Sequence, residues 1–379
     1  MTEEKICLHA LHGIFGYEPA AGAALVQHAG SAREVFAMPE KERAALLGSN
    51  YLAMFKPDAL ETSARLLEQV AEGGAAFVTR EEEAYPPLLR ECPDPPLGLY
   101  VKGSLEGLSE RPCLAVVGTR DMSSYGRDWC AKLVAAMAQC PVKPLIVSGL
   151  AIGIDAVAHT TALDMGLPTV AVMATGIDQV YPFRHGALAD RIAAAPQSAL
   201  LTDFPPGTSP VALHFLRRNR IIAGLSRATL LIESRIRGGG MNTARTAFGY
   251  DRDVFALPGR VDDVRSQGCN LLIRDKVAEA VTDPEDLVLR LGLGESRRRR
   301  KTDLAAVVSE RCGHYPEAER ERLIAAALLI RDNRDIAVDR LSAALGTSYA
   351  ETATLTGILE SEGIISVGLM QNCAVLGNL

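Results

Sequence analysis

SGLAIGIDAVAH, Ser148 to His159, decides the fold of this chain. It follows the apolar run Leu145-Ile146-Val147 and opens onto Ala156-Val157-Ala158, so it reads as a buried strand, a tight turn and a helix start. Gly149 and Gly153 let the backbone approach a ligand closely, and free amides at the helix entry favour an anion. Ser148 adds a hydroxyl, and Asp155 stands where a carboxylate can cap the helix. A second glycine closes an apolar run at Val117-Gly118-Thr119-Arg120, and a third glycine turn follows at Gly238-Gly239-Gly240.

Outward from this turn, strands are expected at Cys113–Val117, Leu145–Val147, Thr169–Met173, Ala199–Thr202, Ala228–Ile232 and Asp253–Leu257. Helical spacing fills the gaps, as at Asp128–Gln139, Asp155–Met165 and Thr243–Gly249. Near-continuous apolar strands separated by helices call for a parallel sheet covered on both faces. Ligands then gather at the carboxyl ends of the strands, where Gly118, Ser148, Gly176 and Glu233 are expected.

The flanks differ from this middle. Residues 1–72 carry apolar residues at helical spacing, with turns at Gly13-Ile14-Phe15-Gly16 and Gly30-Ser31, and read as a small helical domain of helix-hairpin-helix or sterile-alpha-motif type. Residues 292–316 read as a polar, basic linker holding Arg297 to Arg300 and Lys301. Residues 317–379 give helix, turn, helix and hairpin, the winged-helix order. Its second helix, YAETATLTGILESEG, has no arginine or lysine, so protein contact suits it better than duplex reading.

Composition sets outer bounds. The 379 residues are 48% apolar and 23% charged, with a net charge of -6, ordinary for a globular protein of two or three domains. The acidic start MTEEKICLHA does not resemble a signal peptide, and no apolar run approaches the roughly 20 residues that span a bilayer. Eight scattered cysteines with no Cys-x-x-Cys pair fit reduced thiols in a cytoplasmic protein. No P-loop, G-x-G-x-x-G turn or G-x-S-x-G elbow is present, and Asp155 and His159 lack a third metal ligand. Thus no catalytic residue, metal or cofactor is expected.

The charge is uneven. Between Arg217 and Arg245 lie seven arginines, one acid and no lysine. This fits a face that binds a phosphate backbone, or a solvated surface whose arginines pair with acids elsewhere. Gly118-Thr119-Arg120 offers amides, a hydroxyl and a guanidinium at one strand end. Arg217-Arg218-Asn219-Arg220 offers phosphate and base-edge contacts, and Tyr181 to His185 (YPFRH) mixes aromatics with Arg184 as a single-strand stacking platform would. Packing under the loop is the alternative role for Tyr181 and Phe183.

GTR, SGLAIGIDAVAHTTAL, TGIDQVYP, DFPPGTSP, RRNRIIAGLS, GGGMNTA, VFALPG and GCNLLI together resemble the DNA-processing protein A family (DprA, also called Smf), continuously from about residue 85 to 280. The resemblance implies an α/β fold: an extended Rossmann-like sheet over 76–291, flanked by the helical and winged-helix domains. It implies single-stranded DNA binding, usually by a homodimer, and delivery of the strand to a RecA-type recombinase in natural transformation alongside single-strand-binding protein. Residue chemistry and resemblance together select Gly118, Thr119, Arg120, Ser148, Gly149, Gly153, Phe183, Arg184, Arg218, Asn219, Arg220, Gly238, Gly239, Gly240, Asn242 and Thr243 as strand-binding positions. The chain departs from the family pattern at Gly238 to Asn242, where Ser-Gly-Ser is common, and at Phe215-Leu216, where Phe-Pro is usual.

Two other functions fit parts of the pattern. A nucleotide phosphoribohydrolase would also use a glycine turn before a helix, but Gly238 to Phe248 contains no acidic residue to serve as general acid or base. An adaptor would instead recruit a partner through the carboxy-terminal domain.

Overall fold

The computed structural model describes residues 2–47, 49–294, 304–333, 336–368 and 372–375; Arg297 to Arg300 and Lys301, read as the heart of a basic linker, lie outside them. The chain forms two compact units, Met1–Ser296 and Arg297–Leu379. The first opens with helices α1 (Glu3–Phe15), α2 (Pro19–Ala29), α3 (Ala32–Ala37), α4 (Glu40–Leu47), α5 (Ser49–Leu52) and α6 (Ala59–Glu72). Helix α1 runs through Gly13 to Phe15, so the turn expected from Gly13 is confined to Gly16 and Tyr17.

Among the described residues a nine-stranded sheet follows: β1 (Ala76–Thr79), β2 (Gly98–Gly103), β3 (Cys113–Val117), β4 (Leu145–Ser148), β5 (Thr169–Val172), β6 (Ala199–Thr202), β7 (Ala228–Leu231), β8 (Asp253–Ala256) and β9 (Glu279–Ala280). Their spatial order is β1-β2-β6-β5-β4-β3-β7-β8-β9. From β6 to β9 every pairing is parallel; β1 and β2 are added antiparallel at one edge. The chain winds one way from β3 to β6 and the other way from β7 to β9, so the switch point lies between β3 and β7.

Alternation along β3 divides the core into two layers. Cys113, Ala115 and Val117 pack on one face with Ile221, Ile222 and Leu225 of α11 (Ala212–Leu225), Ala244 of α12 (Gly239–Gly249) and Leu272 of α13 (Gln267–Arg274). Leu114 and Val116 pack on the other with Leu133 and Met137 of α8 (Ser124–Ala138), Ile154 and Ala158 of α9 (Ile154–Asp164) and Leu287 of α14 (Pro284–Arg290). Helix α10 (Gly186–Ala194) packs with α6 against Phe77, Tyr100 and Met173, while the short α7 (Pro87–Arg90) carries Leu89 into the first layer. The amino-terminal helices join the same unit: His9 meets the Tyr100 hydroxyl at 2.7 Å, and His12 Nε2 donates to the Asp203 carbonyl at 2.7 Å. All eight cysteines are free and buried.

In the second unit, α15 (Leu304–Arg311) contributes Leu304 and Val308 to the core. The polar joint expected to reach residue 316 therefore ends before 304, because these apolar side chains are buried. Helix α16 (Glu317–Asp332), strand β10 (Ile336–Ala337), α17 (Val338–Leu345), α18 (Tyr349–Ser361) and the hairpin β11 (Ile365–Val367) and β12 (Asn372–Val375) follow. Ser348 and Glu351 close a reciprocal cap at the start of α18. Among the described residues no helix is long and apolar enough to cross a membrane.

Candidate functional site

Four strand ends are knitted together at the carboxyl rim. Beyond β3, Thr119 N donates to the Glu233 carbonyl beyond β7 at 2.7 Å, and Ile154 N at the head of α9 donates to the Thr119 carbonyl at 3.2 Å. Gly153, at φ +86, makes this fit possible, since a Cβ there would overlap the Thr119 carbonyl and Arg120. The next residue, Arg120, is exposed, and its guanidinium lies 4.8 Å from the ring centre of Phe215 on α11. Tyr181 meets the same ring edge-on at 5.5 Å. Its neighbours Phe183, 92% exposed, and Arg184 project into solvent, while His185 Nδ1 donates to the Leu150 carbonyl at 2.8 Å and ties this turn to the β4 loop.

The glycine turn after β4 differs from expectation. Its amides already hold an anion, for Asp155 Oδ2 accepts from Gly149 N at 3.2 Å and Ala151 N at 3.4 Å. Ser148 Oγ is buried and donates to the Val116 carbonyl at 2.6 Å. Arg218 is 4% exposed and donates to the carbonyls of Gly149, at 2.6 Å, and Val172. A Cβ on Gly149 would overlap that guanidinium, so the glycine serves the arginine here. Burial lowers the Arg218 pKa to about 10 against the opposing pull of Asp155; burial likewise raises the Asp155 carboxyl, with Arg218 the chief opposing influence. Ser148, Gly149 and Arg218, selected as strand contacts, therefore lie beneath the rim.

The arginine run divides in the same way. Asp203, buried after β6, pairs with Arg220 at 2.8 Å and Arg217 at 3.3 Å, and Arg220 also donates to the Asp94 carbonyl. Arg227 stands at the amino end of β7, away from the rim, and Arg235 pairs with Asp121 at 3.5 Å. Arg237 and Arg245 are exposed and make no ion pair with a described residue. They border an open hollow of about 430 Å³ with Leu216 and Asn242.

The three-glycine turn is tighter than expected, for Gly238 is the N-cap and Gly239 and Gly240 already belong to α12. Gly239 and Asn242 are exposed, whereas Gly240 packs on Gly118 and Thr243 is buried. Asn219, expected at a base edge, is buried and donates from Nδ2 to the Gly239 carbonyl and Asn242 Oδ1, each at 3.4 Å. The segments thus converge, with Arg120, Phe183, Arg184, Gly239 and Asn242 outward and Gly118, Thr119, Gly153, Gly238 and Arg220 partly covered. Phe215, which completes the stack, was absent from the selected positions; the aromatic before the arginine run was its only signal.

Two acids at the rim are committed to protein donors. Besides Asp155, Glu233 accepts from Ser123 N at 2.9 Å and Ser123 Oγ at 2.5 Å at the head of α8. Asp155 and His159 are both buried rather than forming a surface pair, and His159 meets Thr169 Oγ1 at 2.7 Å. Among the described residues no group of three His, Cys, Asp or Glu side chains is arranged for a metal.

The fold is shared with known proteins. DNA processing protein A from Streptococcus pneumoniae superposes with a TM-score of 0.63 at 31% identity, over 76% of this chain and 98% of that one. DNA processing protein A from Helicobacter pylori, a structure concerned with its single-stranded DNA binding mode, gives 0.51 at 27% identity, over 57% and 95%. Protein Smf of Synechocystis is 38% identical over 231 residues, 60% of this chain and 57% of its relative, so the chain spans less than two thirds of that relative's length. The profile of the DNA recombination-mediator protein A family matches residues 76–292, the whole sheet with its rim. The chain belongs to that family.

Proposed function

We propose that this protein binds single-stranded DNA along the carboxyl rim of its sheet and, without catalysing a reaction, hands the strand to a RecA-type recombinase. The setting is the cytoplasm during natural transformation, with the strand exchanged from single-strand-binding protein and the mediator acting as a homodimer. One observation carries the reading: the exposed Arg120 and Tyr181 flank the half-buried Phe215 in a cation and aromatic cluster beside the projecting Phe183 and Arg184. Unpaired bases stack on such rings, and unpaired arginines neutralise phosphates. The buried Arg218 and Asn219 and the partly covered Arg217 and Arg220 hold the rim in shape, because their donors are spent on protein groups. A phosphoribohydrolase is disfavoured, since Asp155 and Glu233 are each bound by N–H or O–H donors.

Binding should weaken with salt. Fluorescence anisotropy on a labelled oligothymidylate should show Arg120→Ala binding about tenfold more weakly, the loss of about 1.4 kcal/mol. The slope of log affinity against log salt should flatten by about 0.7, one phosphate contact on a single strand. Unchanged affinity and slope would reject the rim as the binding surface. Recombinase loading is checked separately, by strand exchange on DNA coated with single-strand-binding protein.

A further inference from the structure

Tyr17, in the turn between α1 and α2, is 64% exposed yet firmly held. Its hydroxyl lies 2.9 Å from His214 Nε2, and the Arg217 guanidinium lies 4.3 Å from its ring centre. Arg217 is itself fixed by Asp203 and lies 5.4 Å from the ring centre of Phe204. Arg217 and the tilted His214 ring, 6.4 Å away, thus flank the Tyr17 ring, most of which stays open to water. Such an aromatic, exposed but already ordered, loses little rotational freedom when a flat ligand stacks on it.

Its position matters as much as its geometry. Asp203 and Phe204 follow β6, which lies beyond β5 in the row β7-β3-β4-β5-β6. The four spacings from β7 to β6 come to about 19 Å, and Tyr17 stands at the β6 end of this rim. At the start of α11, the N-cap Val211 and Leu213 are exposed apolar side chains. His214 and Phe215 are consecutive, so one helix carries a contact to Tyr17 and a contact to Arg120 on adjoining faces. The neighbouring Glu18 is engaged by the Tyr51 hydroxyl, and no unpaired arginine adjoins Tyr17 among the described residues, so this end favours a base over a phosphate.

We infer that Tyr17 is a further nucleobase-stacking residue, through which the amino-terminal helices lengthen the single-strand track. This rests on the proposed function of the rim. The test is anisotropy of wild type, Tyr17→Ala, Tyr17→Phe and Arg120→Ala on oligothymidylates of about 4 to 16 nucleotides, the span of known single-strand site sizes. Tyr17→Ala should bind the longest strands about tenfold more weakly, match wild type on the shortest, and lose its deficit when the terminal bases are replaced by abasic sites. Tyr17→Phe should stay close to wild type on all lengths, because it keeps the ring. Wild-type affinity of Tyr17→Ala at every length, or an equal loss at every length, overturns the assignment while a weakened Arg120→Ala leaves the rim standing. If Arg120→Ala is also unaffected, the rim reading fails with it.

Discussion

Arg120 and Arg218 share a side chain and have opposite surroundings. Arg120 lies in solvent against one aromatic ring, whereas Arg218 fills the space beneath the β4 turn and satisfies two carbonyls there. Removing a buried charged partner leaves those carbonyls and Asp155 uncompensated, a change that costs about 3–5 kcal/mol. Urea unfolding should therefore show Arg218→Ala destabilised by that order, with Arg120→Ala within about 0.5 kcal/mol of wild type. Equal stabilities for the two variants would refute the division of roles. Arg218→Lys should not restore the loss, since a single ammonium nitrogen cannot supply both the Nη1 bonds to Gly149 and Val172 and the Nε bond to Asn219 Oδ1. The sequence made the charge of this run plain but not its direction. Arg218 shares the inward face of α11 with Ile221, Ile222 and Leu225, and only the position of Asp155 beneath the turn reveals why an arginine is accepted there.

At the scale of elements, the strands with apolar side chains on both faces were legible within a residue of their ends. Strand β3 is CLAVV, buried throughout, and nothing but a covered sheet accommodates that run. Strands β1 and β2 escaped notice because they are edge additions, flanked by glycine and the proline-rich Pro93 to Pro96, and their antiparallel pairing leaves no mark in composition. Helix α12 begins four residues before its expected start, since glycine is a poor helix former yet a Cβ on Gly240 would overlap Leu231 of β7. Helix α8 likewise begins early, capped by Ser123, whose hydroxyl accepts from Gly126 N at 3.1 Å. The β4 turn depends on Gly153, and Gly153→Ala combines a left-handed backbone with a clash against Thr119. It should cost about 1–3 kcal/mol in thermal or urea unfolding and weaken strand binding by shifting Arg120. Retention of both stability and affinity would show that the turn tolerates a side chain.

Across the first unit, buried histidines link stability to pH. His9 joins α1 to the sheet at Tyr100, and His159 lies under the β4 turn; burial lowers the pKa of each to about 3. His12, against the Asp203 carbonyl, is lowered by burial as well. In the unfolded chain these groups take up protons near pH 6.5, while in the folded state they stay neutral. Their contribution is therefore complete above pH 6.5 and is lost as pH falls from there toward 3. The raised carboxyl of Asp155 acts in the opposite sense, since the folded state there binds a proton first on acidification. Glu81, whose carboxyl burial likewise raises, acts with Asp155 against the three histidines. Between about pH 7.5 and about pH 5.5, each of His9 and His159 should remove about 1.4 kcal/mol, read from urea midpoints at fixed salt. His159→Asn should flatten the pH dependence by one such share, even if it lowers stability at neutral pH. A midpoint that holds steady across this range would mean that these histidines can take up a proton within the fold, so that water reaches both the α1 joint at His9 and the space under the β4 turn at His159.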